Sequence, residues 1–342
     1  MPAMGRSKLG HLVNRASHAV AHRALHVVAR VGYGLRGDPG RFGVDLYPDV
    51  PYGDAGEPHL LDVYVPRVSP AGSSNAPLPV VLYVHGGGFA MLSKDTHRIM
   101  ALAFASRGYL VFNINYRLGP RHGYPAPLED ASLALAWVAE NAARWGGDPA
   151  RIVLAGESAG ANLVTALAVE TVTRRPEVFA ARLFDRGLRP VAVLPIYGLL
   201  DVTDIDRFWR KRRLPVHIRS QILHAAEAYV GHPAQTTALS APLASPLRLL
   251  EALSPVEARA LPPFFAACGT ADPLLSDTRR LDAALARLGV PREIVIHPGE
   301  IHAYNVFLWR PAARDMWRRT FEFLRRHVPG PAAEVEPPAK AG

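Results

Sequence analysis

Ser158 lies in Gly156-Glu157-Ser158-Ala159-Gly160, a G-x-S-x-G spacing. An apolar run, Arg151 to Ala155, precedes it, and a helical pattern over about 159–173 follows. A serine on a tight strand-to-helix turn is exposed for attack on a substrate. The N-terminus of the following helix favours the negative charge that develops beside it. The pentapeptide alone is weak, since small-residue turns arise by chance; its flanks supply the context that the motif requires. His85-Gly86-Gly87-Gly88-Phe89 closes a second apolar run, 78–84. Consecutive glycines let backbone N–H groups face a cavity. Acyl transfer needs such donors for its oxyanion. The N–H groups of Gly87 and Gly88, with that of Ala159, are the expected three-donor hole. A flexible turn is the plainer use of these glycines. A phosphate loop is another, but the Gly-Lys-Ser/Thr ending and the dinucleotide spacing are both missing.

A serine at its free pKa is a poor nucleophile and needs a base, which in turn needs an orienting acid. The order expected on a strand–turn–helix scaffold is Ser, then acid, then His. The histidines after Ser158 are His217, His224, His232, His297, His302 and His327. The first three fall in a segment without strand–helix rhythm, His297 ends a strand, and His327 sits in the last helix. His302 lies in a loop, Pro298-Gly-Glu-Ile-His302, between the last strand and the last helix. That is the sheet edge on which Ser158 sits, so His302 is the expected base. Asp272 follows the apolar run 263–268 in the same kind of loop. It is preferred as the acid over Asp277, which starts or caps the next helix, and Asp282 within that helix.

The elements that must hold these residues alternate. Strands are expected at about 42–49, 59–65, 78–84, 109–115, 151–155, 190–196, 263–268 and 292–297. Helices are expected at about 96–107, 128–144, 159–173, 276–288 and 312–327. This rhythm means α/β architecture with a mostly parallel sheet covered on both faces. Residues 201–260 break it and read as an inserted, mainly helical segment. The Pro/Ala-rich stretch from Pro329 reads as a disordered tail.

Composition bounds the rest. The 342 residues are 49% hydrophobic and 20% charged, ordinary for a globular chain. With Cys268 as the single cysteine, an intrachain disulfide and a Cys-based zinc site are excluded. The net charge of +9 is local: residues 1–37 carry six cations and no acid. About 8–31 has apolar residues at three- and four-residue steps, with Arg15, Arg30, His11, His18, His22 and His26 opposite them. This amphipathic helix packs on the body or lies in an anionic membrane surface. Arg207-Phe-Trp-Arg-Lys-Arg-Arg213 poses the same choice between a solvated basic face and lipid contact. No nucleic-acid motif accompanies the charge. No apolar run is long enough to span a bilayer, and no secretory signal is evident, so a cytoplasmic location is expected, with peripheral membrane association as the alternative.

These motifs, with Asn115-Tyr-Arg-Leu-Gly-Pro120, Tyr124-Pro-Ala-Pro-Leu-Glu-Asp-Ala131 and Trp145-Gly-Gly-Asp-Pro149, resemble the hormone-sensitive-lipase-like branch of the α/β-hydrolase superfamily, bacterial esterase family IV. The resemblance covers about residues 42–328. It implies an α/β-hydrolase fold with about eight strands and a carboxylic-ester hydrolase acting on short- to medium-chain acyl esters. It implies nucleophile Ser158, acid Asp272, base His302, and an oxyanion hole at Gly87, Gly88 and Ala159. It also implies a cap built from the N-terminal helical part (1–41) and the insertion near 201–260. No metal or organic cofactor is called for. The partner is a small-molecule ester, and a homodimer is left open. Glu157 departs from the aspartate of many members, Gly119 from a common alanine, and Ala303 from the glycine that usually follows the histidine. Two other readings are an amidase or carbohydrate-ester deacylase, and a non-catalytic small-molecule binder on the same scaffold.

Overall fold

A computed structural model describes residues 38–67, 76–210, 212–231 and 241–328. The expected helix at 8–31 and the expected tail from Pro329 lie outside these. Eight strands form one sheet in the order β1-β2-β4-β3-β5-β6-β7-β8. They are β1 (Val44–Pro51), β2 (Leu60–Pro66), β3 (Leu78–Val84), β4 (Leu110–Ile114), β5 (Gly147–Glu157), β6 (Ala192–Ile196), β7 (Phe264–Gly269) and β8 (Arg292–His297). β2 pairs antiparallel with both β1 and β4, and every other pairing is parallel. The buried centre explains the sequence pattern. Every residue of β3, β4, β6 and β7 is buried, whereas most of the edge strand β1 is not. A strand covered on both faces reads as a continuous apolar run.

Helices cover both faces. On one, α2 (Ala126–Asn141), α3 (Ala159–Val172) and α4 (Val178–Asp185) pack with α8 (Leu275–Leu288) against Leu82, Phe112, Leu154 and Phe264. On the other, α1 (Arg98–Ala105) and α9 (Pro311–His327) pack against Val81, Val111, Val153 and Phe265. The alternation of the two lists along each strand is the period-two side-chain pattern of a pleat. The insertion supplies α5 (Arg207–Arg210), α6 (Val216–Val230) and α7 (Pro246–Ala252). Two features differ most from expectation. β5 begins at Gly147 rather than 151, and α4 was not expected at all.

The insertion sits close over the glycine-rich loop. A side-chain carbon on Gly88 would lie 3.1 Å from Ala225 Cβ of α6. One on Gly119 would lie 1.8 Å from the Ala228 carbonyl oxygen, so glycine is required there by contact with α6. The Tyr124 N–H donates to the Tyr229 carbonyl at 2.5 Å, and the rings of Phe89 and Tyr229 stack at 3.9 Å.

Candidate active site

Ser158 occupies the turn between β5 and α3 with φ 53° and ψ −111°. A positive φ is uncommon for any residue with a side chain and must be held by its surroundings. Here the Ser158 N–H donates to the Ile196 carbonyl at 3.0 Å, and its own carbonyl accepts from the Leu199 N–H at 3.2 Å. The turn also needs backbone contact that a side chain would block: a Cβ on Gly160 would lie 2.0 Å from the Val84 carbonyl oxygen. Thus β3 and β6 clamp the turn from both sides.

The three residues chosen from the sequence meet in one chain of hydrogen bonds. His302 Nε2 lies 3.1 Å from Ser158 Oγ, and His302 Nδ1 lies 2.8 Å from Asp272 Oδ2. Asp272 is fully buried, and its other oxygen accepts from the Leu274 N–H at 2.7 Å. Enclosure lowers the His302 imidazole pKa. The Asp272 charge and hydrogen bond outweigh it with help from the Glu157 charge, and the net shift is upward. Asp277 goes elsewhere. It is buried in the first turn of α8, accepts from the Leu200 and Asp201 N–H groups, and is bound at 2.8 Å by Arg207 Nε. Cys268 is no rival nucleophile, since burial raises its thiol pKa.

Gly87, at φ 109°, takes a conformation that only glycine adopts freely, and a Cβ there would meet the Met91 carbonyl oxygen at 2.1 Å. The loop is anchored by stacking of His85 on Tyr116, whose hydroxyl donates to the His85 carbonyl at 3.0 Å. Among the described residues no hydrogen bond takes up the N–H of Gly87, Gly88 or Ala159. The remaining motifs hold the frame: Arg117 Nε bonds both Asp130 oxygens at 2.9 and 3.0 Å, and His59 Nε2 reaches Asp130 at 2.8 Å.

The sequence did not single out His97, Tyr197 or Asn305, and noted Glu157 only as a departure. These four form a buried cluster behind Ser158. Glu157 Oε1 lies 2.8 Å from His97 Nε2, and Glu157 Oε2 is 2.6 Å from the Tyr197 hydroxyl and 3.4 Å from Asn305 Nδ2. Burial raises the carboxyl pKa. The His97 charge, with hydrogen bonds from His97, Tyr197 and Asn305, outweighs it and holds Glu157 at about 2. The one signal in sequence was an acid next to Ser158; its partners come from distant strands and loops. The basic run at 207–213 also reads differently in space. Arg207 is bound to Asp277 and Arg210 to Asp204, so two of its cations are committed within the fold.

A family model described as alpha/beta hydrolase fold matches residues 81–306. Esterase LipI of Mycobacterium tuberculosis is 35% identical over 82% of this chain and 81% of that protein. Carboxylesterase NlhH of the same organism is 32% identical over 73% of this chain and 74% of its own length. The crystal structure of esterase LipW from Mycobacterium marinum superposes with a TM-score of 0.71 at 26% identity, covering 91% of this chain and 90% of that one. This chain belongs to the alpha/beta hydrolase fold family, in its hormone-sensitive-lipase-like branch.

Proposed function

We propose that the protein is a serine carboxylic-ester hydrolase working through an acyl-enzyme. The observation that carries this reading is the unbroken Ser158–His302–Asp272 hydrogen-bond chain. The esterase and carboxylesterase names of its relatives support the reaction class. Ser158 Oγ attacks the ester carbonyl as His302 Nε2 takes its proton. Asp272 keeps the Nδ1–H tautomer in place and stabilises the imidazolium. The N–H groups of Gly87, Gly88 and Ala159 hold the oxyanion, and each such donor is worth about 3 kcal/mol in comparable sites. His302 then protonates the departing alcohol, and a water repeats the sequence on the acyl-enzyme.

The substrate in this reading is a small-molecule ester with a short- to medium-chain acyl group. The close approach of α6 to Gly88 and Gly119 supports a restricted acyl space, with residues 201–260 as its cap. A fluorophosphonate probe tests the assignment. Labelling confined to Ser158, with turnover of p-nitrophenyl butyrate lost in Ser158→Ala, is expected. Absent labelling would favour the non-catalytic binder, and faster turnover of a matched anilide than of the ester would favour an amidase.

A further inference from the structure

The turn Phe307–Arg310 carries large apolar side chains where a surface turn ordinarily carries polar ones. The Arg310 N–H donates to the Phe307 carbonyl at 2.8 Å, which puts Leu308 and Trp309 at the two central positions. Such positions favour Gly, Pro, Asn and Asp for conformational reasons. Trp309 is 71% exposed and Leu308 49%. The Phe307 ring lies 5.1 Å from that of Trp309, and Ile301, also exposed, is the neighbour of His302 in the same loop. One exposed apolar residue needs no explanation, but a group of them beside a reactive site does.

The loop is built to hold these side chains outward. Arg314 Nη1 donates to the carbonyls of Leu308 and Trp309 at 3.0 and 2.7 Å, and Trp317 Nε1 donates to the Asn305 carbonyl at 3.2 Å. These bonds pre-order the turn and so lower the entropy cost of binding. Arg314 thereby places a positive charge directly at the turn, and a second lies on the adjoining loop. Arg212 lies against the carbonyls of Ala271 and Asp272 at 3.3 Å. That loop is joined to the His302 loop by Ala271 N–H to Glu300 carbonyl at 3.0 Å and Gly299 N–H to Thr270 Oγ1 at 2.7 Å. Among the described residues neither Arg212 nor Arg314 has a carboxylate partner.

We propose that this turn, with Ile301 and the Arg212 and Arg314 guanidiniums, docks onto an anionic lipid–water interface and so presents the mouth of the Ser158 site to esters held there. Tryptophan and aliphatic side chains suit the boundary between headgroup and acyl chain, and guanidiniums suit lipid phosphates. A second copy of the chain fits less well, because a two-fold contact would bring like guanidiniums towards each other. Delivery of the ester rests on the hydrolase reading; docking does not.

The test is co-sedimentation of the full chain with phosphatidylcholine vesicles, with and without phosphatidylglycerol. The chain is expected to partition onto the anionic vesicles more strongly than onto neutral ones. In Leu308→Ser/Trp309→Ser that partition falls about tenfold or more, and in Trp309→Ser by less. Turnover of soluble p-nitrophenyl acetate stays unchanged in both variants, which reports an intact fold and site. Equal partition of the double variant and the parent overturns the proposal and places binding elsewhere, for instance on the basic residues 1–37. No partition of the parent also overturns it, as does a dimer lost in the variant without vesicle binding. Partition without any soluble-ester turnover in the parent would sink the hydrolase reading and leave docking standing.

Discussion

Glu157 accepts a hydrogen bond from the Tyr197 hydroxyl at 2.6 Å, and the Tyr197 ring stands edge-on to the His302 imidazole at 4.7 Å. A buried carboxylate on the strand that ends at Ser158 thereby positions the ring that backs His302. Its charge also contributes to the upward shift of the imidazole. Glu157→Gln keeps the shape and removes the charge. It is expected to lower kcat/KM about tenfold, a loss of about 1.4 kcal/mol. The acidic limb of the pH–rate profile moves to lower pH, which a purely structural role would not produce. Steady-state kinetics on a soluble ester across pH 5–9 checks both outcomes.

The same pair makes a stability prediction. Glu157 is held at about 2, below its ordinary value, so its contribution is present above the unfolded carboxylate range near 4.5 and is lost as pH falls towards 2. Urea unfolding at a series of acidic pH values should show this loss in the parent. Glu157→Gln should be less stable at neutral pH, by about 1–3 kcal/mol, and should show a shallower decline over that window.

In the proposed mechanism His302 sets the activity limb itself. The base must be neutral to accept the serine proton, and its pKa is raised above the usual imidazole value, so kcat/KM should rise with pH through a midpoint above about 6.5. Asp272→Asn removes the charge that does most to raise it. The midpoint falls below the parent's, and kcat drops by orders of magnitude because the Nδ1–H tautomer is no longer enforced. A pH–rate profile of the variant at high enzyme concentration reads both. In stability the sign is opposite to that of Glu157: the His302–Asp272 interaction contributes fully below the unfolded imidazole value and is lost as pH rises through the folded one.

Ala303 follows His302 at φ 59° and ψ 27°, in the left-handed region. A side chain there costs about 1–2 kcal/mol relative to glycine. Ala303→Gly should therefore raise stability by about 0.5–1 kcal/mol, after allowance for the entropy of glycine in the unfolded chain. Thermal melting should show an increase of a degree or two, with turnover within about twofold of the parent.

Gly119 makes the reverse case. Gly119→Ala places a methyl 1.8 Å from the Ala228 carbonyl oxygen, and backbone cannot yield as a flexible side chain can. The variant should lose about 1–3 kcal/mol of stability. KM for short acyl esters should rise more than kcat falls, because α6 is displaced from Gly88 and Phe89 while the Ser158–His302–Asp272 chain is untouched. An unchanged KM and melting temperature would show that α6 does not bear on this loop.

The strand–helix order, the mostly parallel sheet and the proposed site residues Ser158, Asp272 and His302 are all legible in the linear chain. They are legible because a doubly covered parallel sheet writes continuous apolar runs into its strands, and because the proposed reacting residues sit in the loops that directly follow those runs. Short-range physics carries this information, and a linear pattern records it. What needed the tertiary structure was every relationship made across the sheet or by the insertion. Glu157 meets His97 and Tyr197 from three separate segments. Gly119, which looked like a lost alanine, is fixed by the backbone of α6, more than 100 residues on. Arg207, which in sequence is part of a basic run suited to either a solvated face or lipid contact, is committed to the buried Asp277. Pairwise contacts between distant segments leave no periodicity in a chain, so their partners appear only once the fold has brought them within hydrogen-bond reach.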